Sequence, residues 1–333
     1  AGARDWAVSR RRTWGAPVPV WRCAACAAVH VVGSRAELEA LSGQPVTDWH
    51  RPAVDAHAWP CGCGGTMRRV ADVLDCWFES GAMPFAARHA PFAAPADGGP
   101  GDFVAEYVAQ TRGWFYTMTV LSTALFAAPP FTSALCHGVL LGEDGRKMSK
   151  RLRNYTDPMA LVAAHGADAL RVALLTSGVV DGADTRFAAA AVRDVVRRLH
   201  LPWWNALHLV TAYAVGDGWA SDPTAATAPT ALDRALTSEA ELLREEVERA
   251  MADLDVARAY HALEEFVTTL STWYLRLAKP RLWGDGLDAD KRAAYDALVG
   301  ALTQLALVAA PFVPFLADAT WAQLTGLELW FTP

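Results

Sequence analysis

Lys147 and Lys150 stand three residues apart in "HGVLLGEDGRKMSKRLRNY", residues 137 to 155, on a loop that an apolar strand delivers. Gly142 and Gly145 flank "GEDG" and can take the positive φ that a tight turn demands. Ammonium groups on such a loop can close over a polyphosphate. They would neutralise charge building up on a leaving group, which stabilises a transition state more than a ground state. Judged by spacing alone, a solvated basic hairpin is the simpler reading.

A second constellation is Cys23-Ala-Ala-Cys26 with Cys61-Gly-Cys63. Four thiolates suit a tetrahedral zinc ion, and each short spacing lets one turn present two sulfurs. Gly62, Gly64 and Gly65 permit the tight backbone that the second turn needs. His30, His50 or His57 could replace one sulfur, and the alternatives to a metal are disulfides or inert buried thiols. Zinc is the better reading, because no secretory apolar region opens the chain and a reducing cytoplasm is expected. Cys76 and Cys136 sit among apolar neighbours and read as ordinary buried thiols.

The elements that must position these groups fall into three stretches. Residues 1–70 are rich in Gly, Cys and Pro and short of periodic segments, so zinc is expected to replace a missing core. Residues 71–187 have an α/β rhythm: a strand at "DFVAEYV", a helix at "RGWFYTMTVLSTALF", a strand at "ALCHGVLL" and helices near 158 to 176. Residues 188–333 are helical after a surface linker at 216–230. There Leu243, Val247, Met251 and Leu254 repeat at helical spacing, as do Leu263, Phe266, Leu270, Trp273 and Leu277, which predicts two buried stripes. The fold class is therefore α/β followed by all-α, ending in a helical bundle.

A formal net charge of −6 in 333 residues excludes a uniformly basic nucleic-acid module. Local arginine clusters remain candidates for RNA contact: Arg10, Arg11 and Arg12; Arg68 and Arg69; Arg193 with Arg197 and Arg198. The longest apolar run, "LALVAAPFVPFLADA", is broken by Pro311 and Pro314 and predicts buried helix ends, with no membrane span.

The segment "KMSKRLRNYTDP" resembles the Lys-Met-Ser-Lys-Ser motif of the class I aminoacyl-tRNA synthetases, with Arg151 in place of the commonest final Ser. "RDWAVSRRRTWGAPVPVW", "DVLDCWFESGAMPFA" and "QTRGWFYTMTVLSTALF" narrow the resemblance to the isoleucyl-tRNA synthetases, and the cysteine spacing is similar to that family's zinc knuckle. The resemblance implies the second half of a Rossmann catalytic domain with an inserted zinc module, then an anticodon-binding bundle. It implies that Lys150, supported by Lys147, binds ATP phosphates, and that Glu106, Gln110, His137 and Ser149 contact ATP or the adenylate. Trp77 and Trp114 would wall the isoleucine pocket. Zn2+ would be structural, ATP with Mg2+ a substrate, and tRNA(Ile) and isoleucine the partners of a monomer.

Two departures matter. "EYVAQTRGW" has Tyr107 and Ala109 where the family most often has Gly and Asp, so the role of that Asp does not transfer. The family's His-x-Gly-His motif and editing insertion are not in this sequence, which is expected to be a fragment of the ligase. The rival expectation is a non-catalytic zinc-containing tRNA-binding module.

Overall fold

The computed structural model describes residues 5–93, 101–222, 224 and 227–326. Arg4, part of the linker expected at 216–230, and most of the closing "TGLELWFTP" lie outside the described residues. The chain divides into two compact units, Ala1–Leu135 and Cys136–Pro333.

In the first unit the cysteine segment builds a four-stranded antiparallel sheet in the order Val29–Val31, Val20–Cys23, Thr66–Arg69, Ala58–Pro60. Side chains alternate between its faces, so Cys23 and Trp21 point inward with Met67. A helix at Arg35–Ser42 covers that face, started by the Ser34 hydroxyl, which accepts from Glu37 N, and stopped by Gly43 at φ 70°. Trp21, Leu38, Val46, Val54 and Met67 form a small core. This corrects the expectation of a core-poor module, because strands of three or four residues are too short to register as periodic. Arg69 is also corrected: its side chain is fully buried against Asp55 at 2.5 Å and faces no solvent for RNA to reach.

The α/β run of this unit continues with a helix at Cys76–Gly81, a strand at Gly101–Tyr107 and a helix at Trp114–Phe126, and the strand Phe131–His137, which pairs with Gly101–Tyr107, begins in this unit and ends in the second. The two helices approach closely at Gly81, where a Cβ would stand 3.0 Å from Thr117 Oγ1. Cys76 heads its helix exposed, contrary to the buried thiol expected.

In the second unit Leu140–Leu141 pairs in parallel with Thr185–Arg186. The stretch "ALCHGVLL" is two strands rather than one, because the Gly138 N–H turns aside to the Val179 carbonyl at 2.7 Å. Helices follow at Pro158–His165, Ala167–Leu175, Ala189–Val195, Leu201–Gly216, Ala231–Ala252, Val256–Thr269, Leu275–Leu282, Ala289–Ala309 and Pro314–Thr325. Asp157, Thr230 with Asp233, Asp255 and Asp288 cap four of their N-termini. At the proline break, Arg171 binds the Pro311 carbonyl at 2.9 Å, and Asp168 accepts from Leu316 N at 2.8 Å. Each contact satisfies a backbone group that the break leaves without a helical partner.

One stripe differs from its prediction. Leu263, Phe266 and Leu270 are buried, but Trp273 is 40% and Leu277 51% exposed, while Tyr274, Ala278 and Leu282 are inside. The cause is a π-helical turn at Leu270–Tyr274, whose wider i→i+5 hydrogen bonds absorb one extra residue and shift the buried face by one position. Leu254 likewise leaves its stripe at φ 59°, 40% exposed in the turn between helices. The start of the expected linker is also packed: Asp217 pairs with the buried Lys291 at 2.5 Å, and Trp219 Nε1 donates to Asp296 at 3.0 Å.

Candidate active site and metal centre

Cys23 and Cys26 lie where the Val20–Cys23 strand turns back, with Ala27 N donating to Cys23 O at 3.0 Å. Cys61 and Cys63 lie in a second turn closed by Cys61 N on Gly65 O at 2.8 Å. All four sulfurs come within 4.8 Å of one another, with Cys23 Sγ 3.6 Å from Cys63 and Cys26 Sγ 3.7 Å from Cys61. A tetrahedron with bonds of about 2.3 Å has edges near 3.8 Å, so the donor set fits a zinc ion, and none of the pairs is at bonding distance. Gly65 is required there, since a Cβ would stand 2.8 Å from Cys23 Sγ. The N–H groups of Cys26 and Ala25 hold the Cys23 thiol at about 6, favouring the ligating thiolate. The histidines that could have replaced a sulfur are engaged elsewhere: His30 with Glu37, His50 with Asp48 and His57 with Ser42.

The first unit also brings together Trp77, Gln110 and Trp114. Trp114 Nε1 donates to the Ser80 carbonyl at 3.0 Å, which fixes the indole against the helix that carries Trp77. Gln110 Oε1 accepts from Trp114 N at 2.9 Å, so it starts the Trp114–Phe126 helix. A Cβ on Gly113 would lie 2.5 Å from that oxygen and 3.6 Å from Trp77 Cη2, so only glycine lets the three side chains converge. Trp77 keeps 42% of its surface exposed. Glu106, next to last in the preceding strand, is half-buried, its Oε2 accepting from Tyr107 N at 3.2 Å, and Ala109 is exposed.

In the second unit the lysine loop begins as Leu140–Leu141 ends. Gly145, at φ 74°, donates to the Gly142 carbonyl, and Lys147 bridges back to Leu141. A residue the sequence reading missed organises the loop. Asn154 Oδ1 accepts from Ser149 N at 3.1 Å, and its Nδ2 reaches Asp144 Oδ1 at 3.1 Å and the Arg146 carbonyl at 3.3 Å. The Arg146 N–H and then Asn154 lower the Asp144 carboxyl below its ordinary range. The segment after the lysines is thereby tied to the backbone at Arg146, Lys147 and Ser149, while the Lys147 and Lys150 side chains remain exposed. The signal in the sequence was only an Asn five residues after Ser149. His137, half-buried at the end of its strand, sets Nδ1 2.9 Å from the Gly138 carbonyl. Four of the expected contacts thus stand in the first unit, Trp77, Glu106, Gln110 and Trp114, and four in the second, His137, Lys147, Ser149 and Lys150.

Residues 1–186 match the family described as tRNA synthetases class I (I, L, M and V). The chain belongs to that family. In this class I synthetase chain, residues 233–331 also match the anticodon-binding domain of tRNA ligases. Isoleucine–tRNA ligase 2 of Pseudomonas fluorescens is 52% identical over 327 residues, covering 97% of this chain and 32% of that protein. The isoleucine–tRNA ligase of Treponema denticola is 43% identical over 340 residues, covering 97% of the chain and 31% of the relative. The synthetase chain therefore spans about a third of the length of the curated relatives it matches. Its fold is shared with the Agrobacterium radiobacter K84 agnB2 LeuRS in a complex with tRNA and LeuAMS, at TM-score 0.65 and 20% identity over 98% of this chain and 41% of that one. Among the described residues no single helix is long and apolar enough to cross a membrane.

Proposed function

We propose that this chain is part of an isoleucine–tRNA ligase, which activates isoleucine with ATP and transfers it to tRNA(Ile). The observation that carries the reading is the ordered Lys147–Lys150 loop, stitched by Asn154, in a chain of this family whose relatives at 52% and 43% identity are named isoleucine–tRNA ligases. In activation, an isoleucine carboxylate oxygen bonds to the α-phosphorus of ATP while the bond to pyrophosphate breaks, and Mg2+ accompanies the nucleotide. Lys150 meets the negative charge that grows on the departing pyrophosphate, and Lys147 supports it. Ser149, His137, Glu106 and Gln110 bind the nucleotide or adenylate. Trp77 and Trp114 recognise a branched alkyl side chain by shape, as flat apolar walls do. In transfer, a terminal ribose hydroxyl of tRNA attacks the acyl carbon and AMP leaves.

The proposed organisation is a zinc-containing module at 1–70, the second half of a Rossmann catalytic domain at 71–187 and an anticodon-binding bundle at 188–333. The strand–helix–strand run through Gly101–Tyr107, Trp114–Phe126 and Phe131–His137 supports the Rossmann half. Cys23, Cys26, Cys61 and Cys63 hold Zn2+, which cross-links the two turns. The protein works as a cytoplasmic monomer. In a ligase containing this chain, Lys150→Ala should slow adenylate formation by ~10²- to 10³-fold and leave isoleucine affinity and transfer from preformed adenylate intact. Equal loss of all three would mark a structural lysine and remove the main support for the reading.

A further inference from the structure

Trp14 presents more of its surface to solvent than any other large apolar side chain among the described residues, at 84%. An indole left in water at that level calls for an explanation, and here it is held rather than loose. The His50 ring lies nearly parallel to it, with centroids 5.9 Å apart and 17° between planes. Asp48 Oδ1 fixes His50 by accepting from its backbone N–H at 2.8 Å and meeting its Nδ1 at 2.8 Å. The neighbouring Arg51 ties the two segments together, donating to the Arg12 carbonyl at 3.0 Å and the Ala71 carbonyl at 2.8 Å while its Nε binds Asp55 at 2.8 Å.

Positive charge flanks this stack. The Arg11 side chain is 96% exposed, with Asp72 as its only ion-pair partner among the described residues, at 3.9 Å. Arg12 is exposed, and among the described residues its side chain has no ion pair. Arg10 is different, since it is spent on Asp75 and on the Ala7 and Ser9 carbonyls. A preorganised aromatic face beside two extended guanidinium groups is the chemistry that takes an unpaired nucleobase and its phosphates. An apolar protein surface would gain nothing from the flanking charges.

We infer that the Trp14–His50 stack, with Arg11 and Arg12, is a platform for an unpaired RNA base, and that its occupant is the single-stranded end of the tRNA acceptor arm. The choice of occupant rests on the ligase reading above. Bases paired in a duplex have no free face to stack, whereas the terminal overhang is unpaired, and the ligase reading brings it to the unit that carries Trp77 and Trp114, which also carries Trp14.

The test uses the whole chain with two probes: a tRNA(Ile) transcript carrying 2-aminopurine at an unpaired terminal nucleotide, and a free single-stranded hexanucleotide of the same terminal sequence. Wild-type protein should quench the fluorophore by stacking. Trp14→Ala should abolish the quenching and weaken both probes about 5- to 150-fold, whereas Trp14→Phe should keep most of the affinity. Arg11→Ala with Arg12→Ala should reduce the slope of log affinity against log salt by about 1.4. Because Trp14 is so exposed, zinc content and circular dichroism should be unchanged in all variants. If Trp14→Ala binds tRNA and hexanucleotide as the wild type does, the platform is refuted and the ligase reading stands. Trp14-dependent binding of the hexanucleotide without binding of the tRNA would overturn the acceptor end as occupant and count against the ligase reading, leaving only a general platform for single-stranded RNA. Binding of neither probe by the wild type would refute the platform.

Discussion

Replacing Asn154 with alanine removes the side chain that stitches the lysine loop. The loss comprises the bond from Ser149 N at 3.1 Å and the bonds from Nδ2 to Asp144 at 3.1 Å and to the Arg146 carbonyl at 3.3 Å. A further contact to the Lys147 carbonyl, at 3.4 Å, competes for the same two hydrogens. Each bond is worth about 0.5 to 1.5 kcal/mol net of water, and the exposed setting favours the low end, so the ordered loop should lose about 1 to 3 kcal/mol. That raises the open population about 5- to 150-fold. Limited trypsin digestion reads this directly, because Arg146, Lys147, Lys150, Arg151 and Arg153 are cleavage sites within the loop. When opening equilibrates faster than cleavage, the cutting rate follows the open population. Asn154→Ala should therefore be cut in the loop faster by that factor, with other sites unchanged. Asn154→Asp keeps an acceptor for Ser149 N but sets a second carboxylate against Asp144, so it should be cut nearly as fast. Loop cleavage within about twofold of wild type would refute the stitching role, and a uniform rise at every site would show that Asn154 supports the whole fold instead.

Metal analysis of reduced, freshly purified protein should find near-stoichiometric zinc, and a Cys61→Ser, Cys63→Ser double variant should lose it; retention by that variant would defeat the assignment. Gly65→Ala should weaken zinc retention against a chelator, since its Cβ would press on Cys23 Sγ from 2.8 Å. Acid denaturation should expose Asp233: burial alone would raise its carboxyl, but Arg281, Thr230 and Tyr274 outweigh that and hold it at about 2. A folded value below the unfolded one of about 3.9 means that the contribution is complete above that pH and is lost as pH falls toward 2, a change of at most about 2.6 kcal/mol. Asp233→Asn should flatten that part of the stability profile, and an unchanged profile would show that other carboxylates carry the acid sensitivity.

Much of the clustering of the candidate residues was legible in the chain because it is written in local spacing. Cys23 with Cys26 and Cys61 with Cys63 each fit within one turn, so short-range geometry already predisposes each pair to share an ion. Lys147 and Lys150 follow a strand and a glycine turn, and capping residues such as Thr230 with Asp233 act on backbone within four positions. The chain alone could not show that Asn154 would organise the lysines, since that depends on a return path of the loop rather than on a repeat. Nor could it show that Arg69, one of two adjacent arginines, is buried on Asp55 while Arg68 is exposed, because alternation on a four-residue strand is settled by which face meets Trp21 and Leu38. The exchange of Trp273 and Leu277 for Tyr274 and Ala278 has the same origin. A 3.6-residue period carried through residues 263–277 assumes regular hydrogen bonds, and the π-turn at Leu270–Tyr274 changes the phase where packing against neighbouring helices, not local preference, selects the buried face.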